Sequence, residues 1–248
     1  MYAAGFTDVG VARSQNQDAI FVCNKQFGAL PNLFIVADGM GGHKAGDVAS
    51  NMAIEHFTKY ILDYKMQDFV TPENYLDLLM SAAKTADEKI AAKAASDEDM
   101  KGMGTTLTAC TITDDKIFYV HIGDSRAYFV NHYGMKQITT DHTFVEELLR
   151  TGRISEEEAR THPKRNVITK VLGMPEGMEA DAKVVELGDA ASILLCSDGL
   201  TNMLDKDAMM KIINGLGYVE HRTRYLIEEA NGNGGLDNIS AVLIDVNR

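Results

Sequence analysis

The stretch TTLTACTITDDKIFYVHIGDSRAYFVN, residues 105–131, decides the fold. Its runs 105–112, 116–122 and 126–131 are short and rich in β-branched and aromatic residues, the composition of strands. Within 116–122 the side chains alternate, Phe118, Val120 and Ile122 on one face and Tyr119 and His121 on the other. Thr113-Asp114-Asp115 inside the stretch and Asn131-His132-Tyr133-Gly134 at its end supply turn chemistry. The segment therefore reads as an antiparallel meander.

Working outward, further strands are predicted at 18–23, 33–37, 192–196 and 239–246. Two long stretches are helical instead. From 45 to 64, Ala49, Ala53, Phe57, Tyr60, Ile61 and Tyr64 recur at helical spacing, and from 73 to 95 so do Leu79, Ala83, Ala86 and Ile90. Thr71-Pro72 marks the start of the second, as a cap followed by proline in the first turn. Shorter helices are expected at 206–214 and 220–230. Strands come first, then two helices together, then a run of strands. That order points to an α+β fold of antiparallel sheets covered by helices rather than to a βαβ alternation. The charged segment 142–170 interrupts the strands as a surface excursion, and with no linker or repeat the expectation is one domain over 1–248.

Composition narrows the function. The 248 residues suffice for a substantial core, and 45% hydrophobic with 24% charged residues is ordinary for a globular protein. Asp+Glu of 36 against Lys+Arg of 24 leaves a net charge of -12, which repels nucleic acid and anionic membrane surfaces. A bound phosphate group would need arginine or a cation locally. No apolar run is long enough to span a membrane and the N-terminal residues do not read as a signal peptide, so a cytoplasmic location is expected. Cys23, Cys110 and Cys196 lie in apolar segments without metal or redox spacing and read as buried thiols.

The stretch FIVADGMGGHKAG, residues 34–46, runs from a buried strand onto a carboxylate and then into glycines. Asp-Gly is a common turn pair, but Asp38 also suits a ligand at the rim of a sheet. It has company: Asp18, Asp124, Asp198 and Asp237 also stand at ends of apolar strands, flanked by Gly, Ser or Asn. Each alone reads as a turn residue or cap. Five brought together would repel and hold protons above the usual carboxylate range unless cations sat among them. An all-oxygen donor set fits Mg²⁺ or Mn²⁺ rather than zinc. Two such ions can activate a shared water against a phosphorus centre.

RSQNQD (13–18), VADGMGGHKAGDVAS (36–50), GMGTTL (102–107), HIGDSRAY (121–128), TTDHT (139–143), CSDGLTNML (196–204) and GGLDNIS (234–240) resemble, in order, the motif series of the metal-dependent type 2C (PPM) Ser/Thr protein phosphatases, bacterial branch. The resemblance spans nearly the whole chain. It implies a central sandwich of two antiparallel β-sheets flanked by helix pairs, a four-layer αββα arrangement, with the metals at one edge. By the same match Asp38, the Gly39 carbonyl, Asp198, Asp237 and, through water, Asp18 hold two ions. Asp124, sharing Asp198, falls at a weaker third site, and residues after His142 match a flap over about 142–170. Arg13 stands at the phosphate-binding position, where a planar, permanently charged fork pairs two oxygens. His43 matches the general acid proposed for the leaving oxygen, and a histidine's ordinary pKa suits that work. Gln17 departs from the family's frequent glutamate, removing one negative charge near the metals.

The expected reaction is direct attack of a metal-bridging water or hydroxide on phosphoserine or phosphothreonine, without a serine nucleophile. Ser197 and Ser125 are expected to orient neighbouring aspartates. The expected partners are phosphorylated proteins and, from the family, an opposing Ser/Thr kinase, with the chain a monomer. A phosphatase of small phosphorylated metabolites would share the chemistry. Against it stands the basic run HPKRN, whose Lys164 and Arg165 suit an extended acidic partner. An inactive regulatory module would keep the fold but has no need of Asp38, Asp198, Asp237 and Arg13.

Overall fold

The computed structural model describes residues 1–42, 45–64, 71–175 and 177–246. In chain order its strands are β1 (Tyr2–Asp8), β2 (Asp18–Cys23), β3 (Leu33–Met40), β4 (Gly104–Thr105), β5 (Leu107–Ile112) and β6 (Lys116–Ile122). They continue with β7 (Arg126–Val130), β8 (Met135–Gln137), β9 (Asp181–Glu186), β10 (Ser192–Cys196) and β11 (Ile239–Asp245). The helices are α1 (Ala45–Asp63), α2 (Tyr75–Ser96), α3 (Phe144–Arg150), α4 (Glu156–Thr161), α5 (Asp198–Thr201), α6 (Lys206–Ile213) and α7 (Val219–Gly232). One sheet runs β1-β11-β10-β7-β8 and the other β2-β3-β5-β6-β9, with β4 beside β3. Every pairing within them is antiparallel.

The alternation in β6 explains the layering, because both of its faces are apolar. Ile117 and Tyr119 pack between the sheets with Phe34, Val36, Ile193, Leu195, Val242 and Ile244. Phe118, Val120 and Ile122 turn outward onto α1 and α2, where Phe57, Ile61, Leu79 and Ile90 are fully buried. Burying one such side chain contributes about 1.5–3 kcal/mol, so the helical rows at 49, 53, 57, 61 and 79, 83, 86, 90 hold these helices down. On the far side Leu194, Cys196 and Leu243 meet Met209, Ile213 and Leu226 of α6 and α7. The result is helices, sheet, sheet, helices.

Several expectations are corrected. β3 does not stop before Asp38 but continues to Met40, because Gly39 and Met40 pair with Thr105 and Gly104 of β4. Thr71-Pro72 opens a single 3₁₀ turn, and α2 starts at Tyr75. Cys110 and Cys196 are buried, but Cys23 at the end of β2 is only half-buried. Strand β1, unmarked by sequence pattern, exists because β11 offers it a seven-residue register. At Gly5 it runs so close to the other sheet that a methyl group would meet Val22 Cγ2 at 2.7 Å.

The segment 142–170 has structure of its own. Its ends meet in a neck, where Phe144 N–H donates to Val167 O (2.9 Å) and Thr169 N–H to His142 O (2.8 Å). Beyond the neck, Thr143 caps α3 and a Ser155/Glu158 capping box starts α4.

Candidate active site

The inner rows of the sandwich end in acid. Ile20 and Val22 of β2 and Phe34 and Val36 of β3 pack between the sheets. Side chains two residues apart share a face, so Asp18 and Asp38 continue those rows, and they pair directly across the two strands. Like charges opposite one another are unfavourable. The opposite sheet offsets part of this: Ser197 Oγ and Ser240 Oγ each donate to Asp18 Oδ2 at 2.7 Å. Ser197 thus orients Asp18, not its sequence neighbour Asp198. Ser125 bonds no aspartate side chain among the described residues; it bonds Thr106 Oγ1 at 2.8 Å, and that hydroxyl accepts the Asp38 backbone N–H at 2.9 Å. Thr105 Oγ1 donates to the Asp38 carbonyl at 2.9 Å, which fixes the strand around the carboxylate.

All five aspartates come to this end of the sandwich. Burial, followed by the charges of Asp18, Asp198, Asp124 and Asp237, pushes the Asp38 carboxyl well above the usual carboxylate range. Burial pushes Asp18 up to about 6 against the two serine hydrogen bonds, and pushes Asp124 up to about 7 with help from Asp198 and Asp141. Asp198 is raised by burial and then by Asp237. Two of the buried oxygens, Asp18 Oδ1 and Asp124 Oδ1, have no hydrogen-bond donor among the described residues. An orphaned buried carboxylate oxygen is costly, and a hard divalent cation is the partner that suits this all-oxygen set. The side chains do not close into a cage by themselves: among the described residues no three of His, Cys, Asp or Glu converge as a group able to hold an ion. Backbone and water oxygens must complete any coordination, as is usual for Mg²⁺.

Glycines bring the carboxylates together. A methyl group on Gly39 would meet Gly46 O at 2.0 Å and Gln17 O at 2.7 Å, so only glycine lets β3 lie against the start of α1. This close approach, rather than an open path to the carbonyl, is what requires a glycine there. A methyl group on Gly199 would meet Asn238 O at 2.0 Å, and this contact sets Asp198 beside Asp237.

Asn238 was not singled out by sequence, yet it clamps the loop that carries Arg13. Its Nδ2 donates to Val9 O (2.8 Å) and Gln15 O (2.9 Å), and its Oδ1 accepts the Gln17 N–H at 2.8 Å. Arg13 Nη2 donates to Asp237 Oδ2 at 2.8 Å with its side chain 53% exposed, so the guanidinium stands at the mouth of the site. The only advance signal for Asn238 was its place beside Asp237 in a strand-leading LDN triplet. His43 lies outside the described residues.

A cleft of about 650 Å³ is lined by Arg13, Asp38, Gly39, Asp124, Asp198 and Asp237 together with Arg165 and Ile168 of segment 142–170. A second, on the other side of Asp124 and Asp198, is lined by Arg126, Asp141, Glu146 and again Arg165. Of the two basic residues singled out there, Arg165 thus faces the clefts, whereas the Lys164 ammonium sits 5.1 Å from the Phe144 ring centre. Asp141 is held by Arg126 through Nε at 2.9 Å and Nη2 at 2.6 Å. The neck beneath is pinned by histidines. His142 Nδ1 accepts the Gly123 N–H at 3.1 Å, and buried His121 Nε2 lies 3.1 Å from Thr140 O. Burial, then the neighbouring His142, lowers the His121 pKa to about 4, so it is a neutral structural ring at physiological pH.

This geometry agrees with what the chain is similar to. The family model described as protein phosphatase 2C matches residues 11–226. Serine/threonine phosphatase stp of Listeria innocua is 38% identical over 249 residues, covering 100% of this chain and 96% of its own. The crystal structure of serine/threonine phosphatase Stp1 from Staphylococcus aureus superposes with a TM-score of 0.90 at 33% identity, over 99% of this chain and 95% of that one. The catalytic domain of serine threonine protein phosphatase PstP, in complex with two manganese ions, does so with a TM-score of 0.81 at 33% identity, over 98% and 97%.

Proposed function

We propose the following roles for the residues of this chain, which belongs to the protein phosphatase 2C family and is a metal-dependent serine/threonine protein phosphatase. Asp38, the Gly39 carbonyl, Asp198 and Asp237 would hold two Mn²⁺ or Mg²⁺ ions with Asp18 in support, and Asp124 with Asp198 would hold a weaker third. Bound metal would supply the activation of a water toward phosphorus and would offset phosphoryl charge. Arg13 swings from Asp237 to pair two phosphoryl oxygens, a task suited to its fork and its exposure. Asn238 keeps the Arg13 loop in register with the carboxylates. Ser197 and Ser240 keep Asp18 aimed and supply no nucleophile. The departing serine or threonine oxygen needs a proton, and His43 gives it.

The observation that carries this reading is the gathering of five carboxylates, two with buried oxygens unpartnered among the described residues, beneath an exposed arginine. Residues 1–248 form one phosphatase domain with 142–170 as its flap. The substrates are phosphoproteins, the opposing enzyme a Ser/Thr kinase, and the working state a cytoplasmic monomer. Among the described residues no helix is long and apolar enough to cross a membrane. The test is phosphate release from a phosphothreonine peptide, with Mn²⁺ and with chelator, by the wild type and by Asp198→Ala. Release that requires both the metal and Asp198 supports the reading; no release from the folded, metal-loaded wild type rejects it.

A further inference from the structure

The rim of the cleft beside Arg13 is apolar. Val11 is 68% exposed and Leu236 63%, and both belong to the turns that frame the site. Val11 N–H donates to Gly235 O at 2.8 Å, which joins the two turns edge to edge. A methyl group on Gly235 would meet Val11 Cγ2 at 2.9 Å, and one on Gly234 would meet both Leu236 Cγ and Met203 Sδ at 3.9 Å. Leu236 and Met203 thus border Gly234 and Val11 borders Gly235, so the three apolar side chains surround one glycine pair that serves as a floor. Gly234 and Gly235 have φ of +126° and +50°, so this floor favours residues without a side chain.

The rim is fixed relative to the chemistry. Leu236 is bonded to Asp237, Val11 lies two residues before Arg13, and Leu236 and Met203 line the same cleft as the carboxylates. Single exposed apolar side chains are ordinary on protein surfaces. Three that border one glycine pair, two of them lining a polar cleft, mark a place where something apolar is bound. A polypeptide that lowers a phosphorylated side chain between Arg13 and the aspartates must lay its neighbouring residues across this rim. Methionine is well suited to the task, because its flexible thioether repacks against differing shapes.

We propose that Val11, Met203 and Leu236 form a subsite for an apolar side chain flanking the phosphorylated residue, so that the enzyme favours phosphoproteins with Leu, Ile, Val or Met beside the phosphosite. This rests on the protein-phosphatase reading above. An acidic flanking residue is disfavoured there, since it would enter beside Asp237 without a cation of its own.

The test is kcat/KM on phosphothreonine peptides differing only in Leu, Ser, Asp or Lys at each of the two positions on either side, for the wild type, Val11→Ser and Leu236→Ser. In the wild type Leu is expected to exceed Ser roughly tenfold at one position, mainly through KM, the scale of one apolar group in a pocket. That ratio falls toward one in both variants, whose two residues are exposed and can be changed without opening a core. Equal use of Leu and Ser at every position by the wild type overturns the subsite, as does a Leu preference that persists in both variants. Absence of release from every peptide overturns the phosphatase reading itself and the subsite with it.

Discussion

The two walls of the cleft are built by opposite means. On the β-edge wall several groups are held by segments remote in sequence: the Asp18 carboxylate by Ser197 and Ser240, the Asp38 backbone by Thr105 and Thr106, and the Arg13 loop by Asn238. On the wall formed by 142–170 the bonds beyond the neck are local, a cap from Thr143 to Glu146, a capping box between Ser155 and Glu158, and no buried residue in α3. A group held from several directions keeps its geometry through a reaction, whereas a locally held segment opens at little cost. Chemistry thus resides on the first wall and adaptability on the second. Damage to the first wall should fall on turnover, and damage to the second on the handling of large substrates.

The largest effect is expected from Asp38→Asn, which removes the charge most surrounded by the others. Its kcat/KM should fall by about a thousandfold or more while the protein stays folded. Activity within tenfold of wild type would break the contrast at its centre. Next comes Asn238→Ala, which frees the Val9 and Gln15 carbonyls and the Gln17 N–H without touching the substrate. A loss of roughly 10–100-fold is expected, the scale of a lost supporting contact. Because both residues act on one loop, the losses of Asn238→Ala and Arg13→Ala should not add in the double variant. Additive losses would show that Asn238 acts elsewhere.

A smaller effect sharpens the electrostatic side. The folded pKa of Asp124 is raised to about 7 from 3.8, so without metal the folded state keeps a proton that the unfolded chain releases. Its contribution to stability is fully present below pH 3.8 and is lost as pH climbs through about 7. In chelator, Asp124→Asn should therefore match wild type in thermal unfolding near pH 4 and exceed it by about 4 kcal/mol above pH 7. A difference that shrinks with rising pH would contradict the burial of that carboxylate. The smallest effect belongs to the flap. Thr143→Ala removes the cap of α3 and should leave the global melting temperature almost unchanged. Amide exchange in 144–150 should quicken about fivefold, the equivalent of a ~1 kcal/mol cap. A drop of many degrees would mean that the flap is part of the global fold.

Local pattern carried the reading of the strands far. Runs 18–23, 116–122 and 192–196 are strands over the same residues, and α1 and α2 bury the expected Ala49, Ala53, Phe57, Ile61, Leu79, Ala83, Ala86 and Ile90, whereas Tyr60 is only half-buried and Tyr64 lies past the end of α1. β1 and β9 escaped notice for a physical reason. YAAGFTD and DAKVVE hold few fully buried residues and become strands by pairing with β11 and β6. Helix α4 was hidden by its charge, and α3, FVEELLR, is too short for its apolar residues to show a helical period. Pro72 was read correctly as a helix-start signal, but one turn too early.

By itself the sequence determined the α+β class, the acidity that turns away nucleic acid, the ordered aspartate motifs and, through them, the family. Each is written in neighbouring residues or in composition, where periodicity and turn chemistry act over a few positions. Only the tertiary structure decided that Ser240 reaches Asp18 from 222 positions away, that Asn238 anchors the Arg13 loop, and that Val11 and Leu236 share a rim. Such contacts have no local period. They arise where two sheets close over a common core, and burial then compels each polar group to find whatever partner the packing has brought within reach.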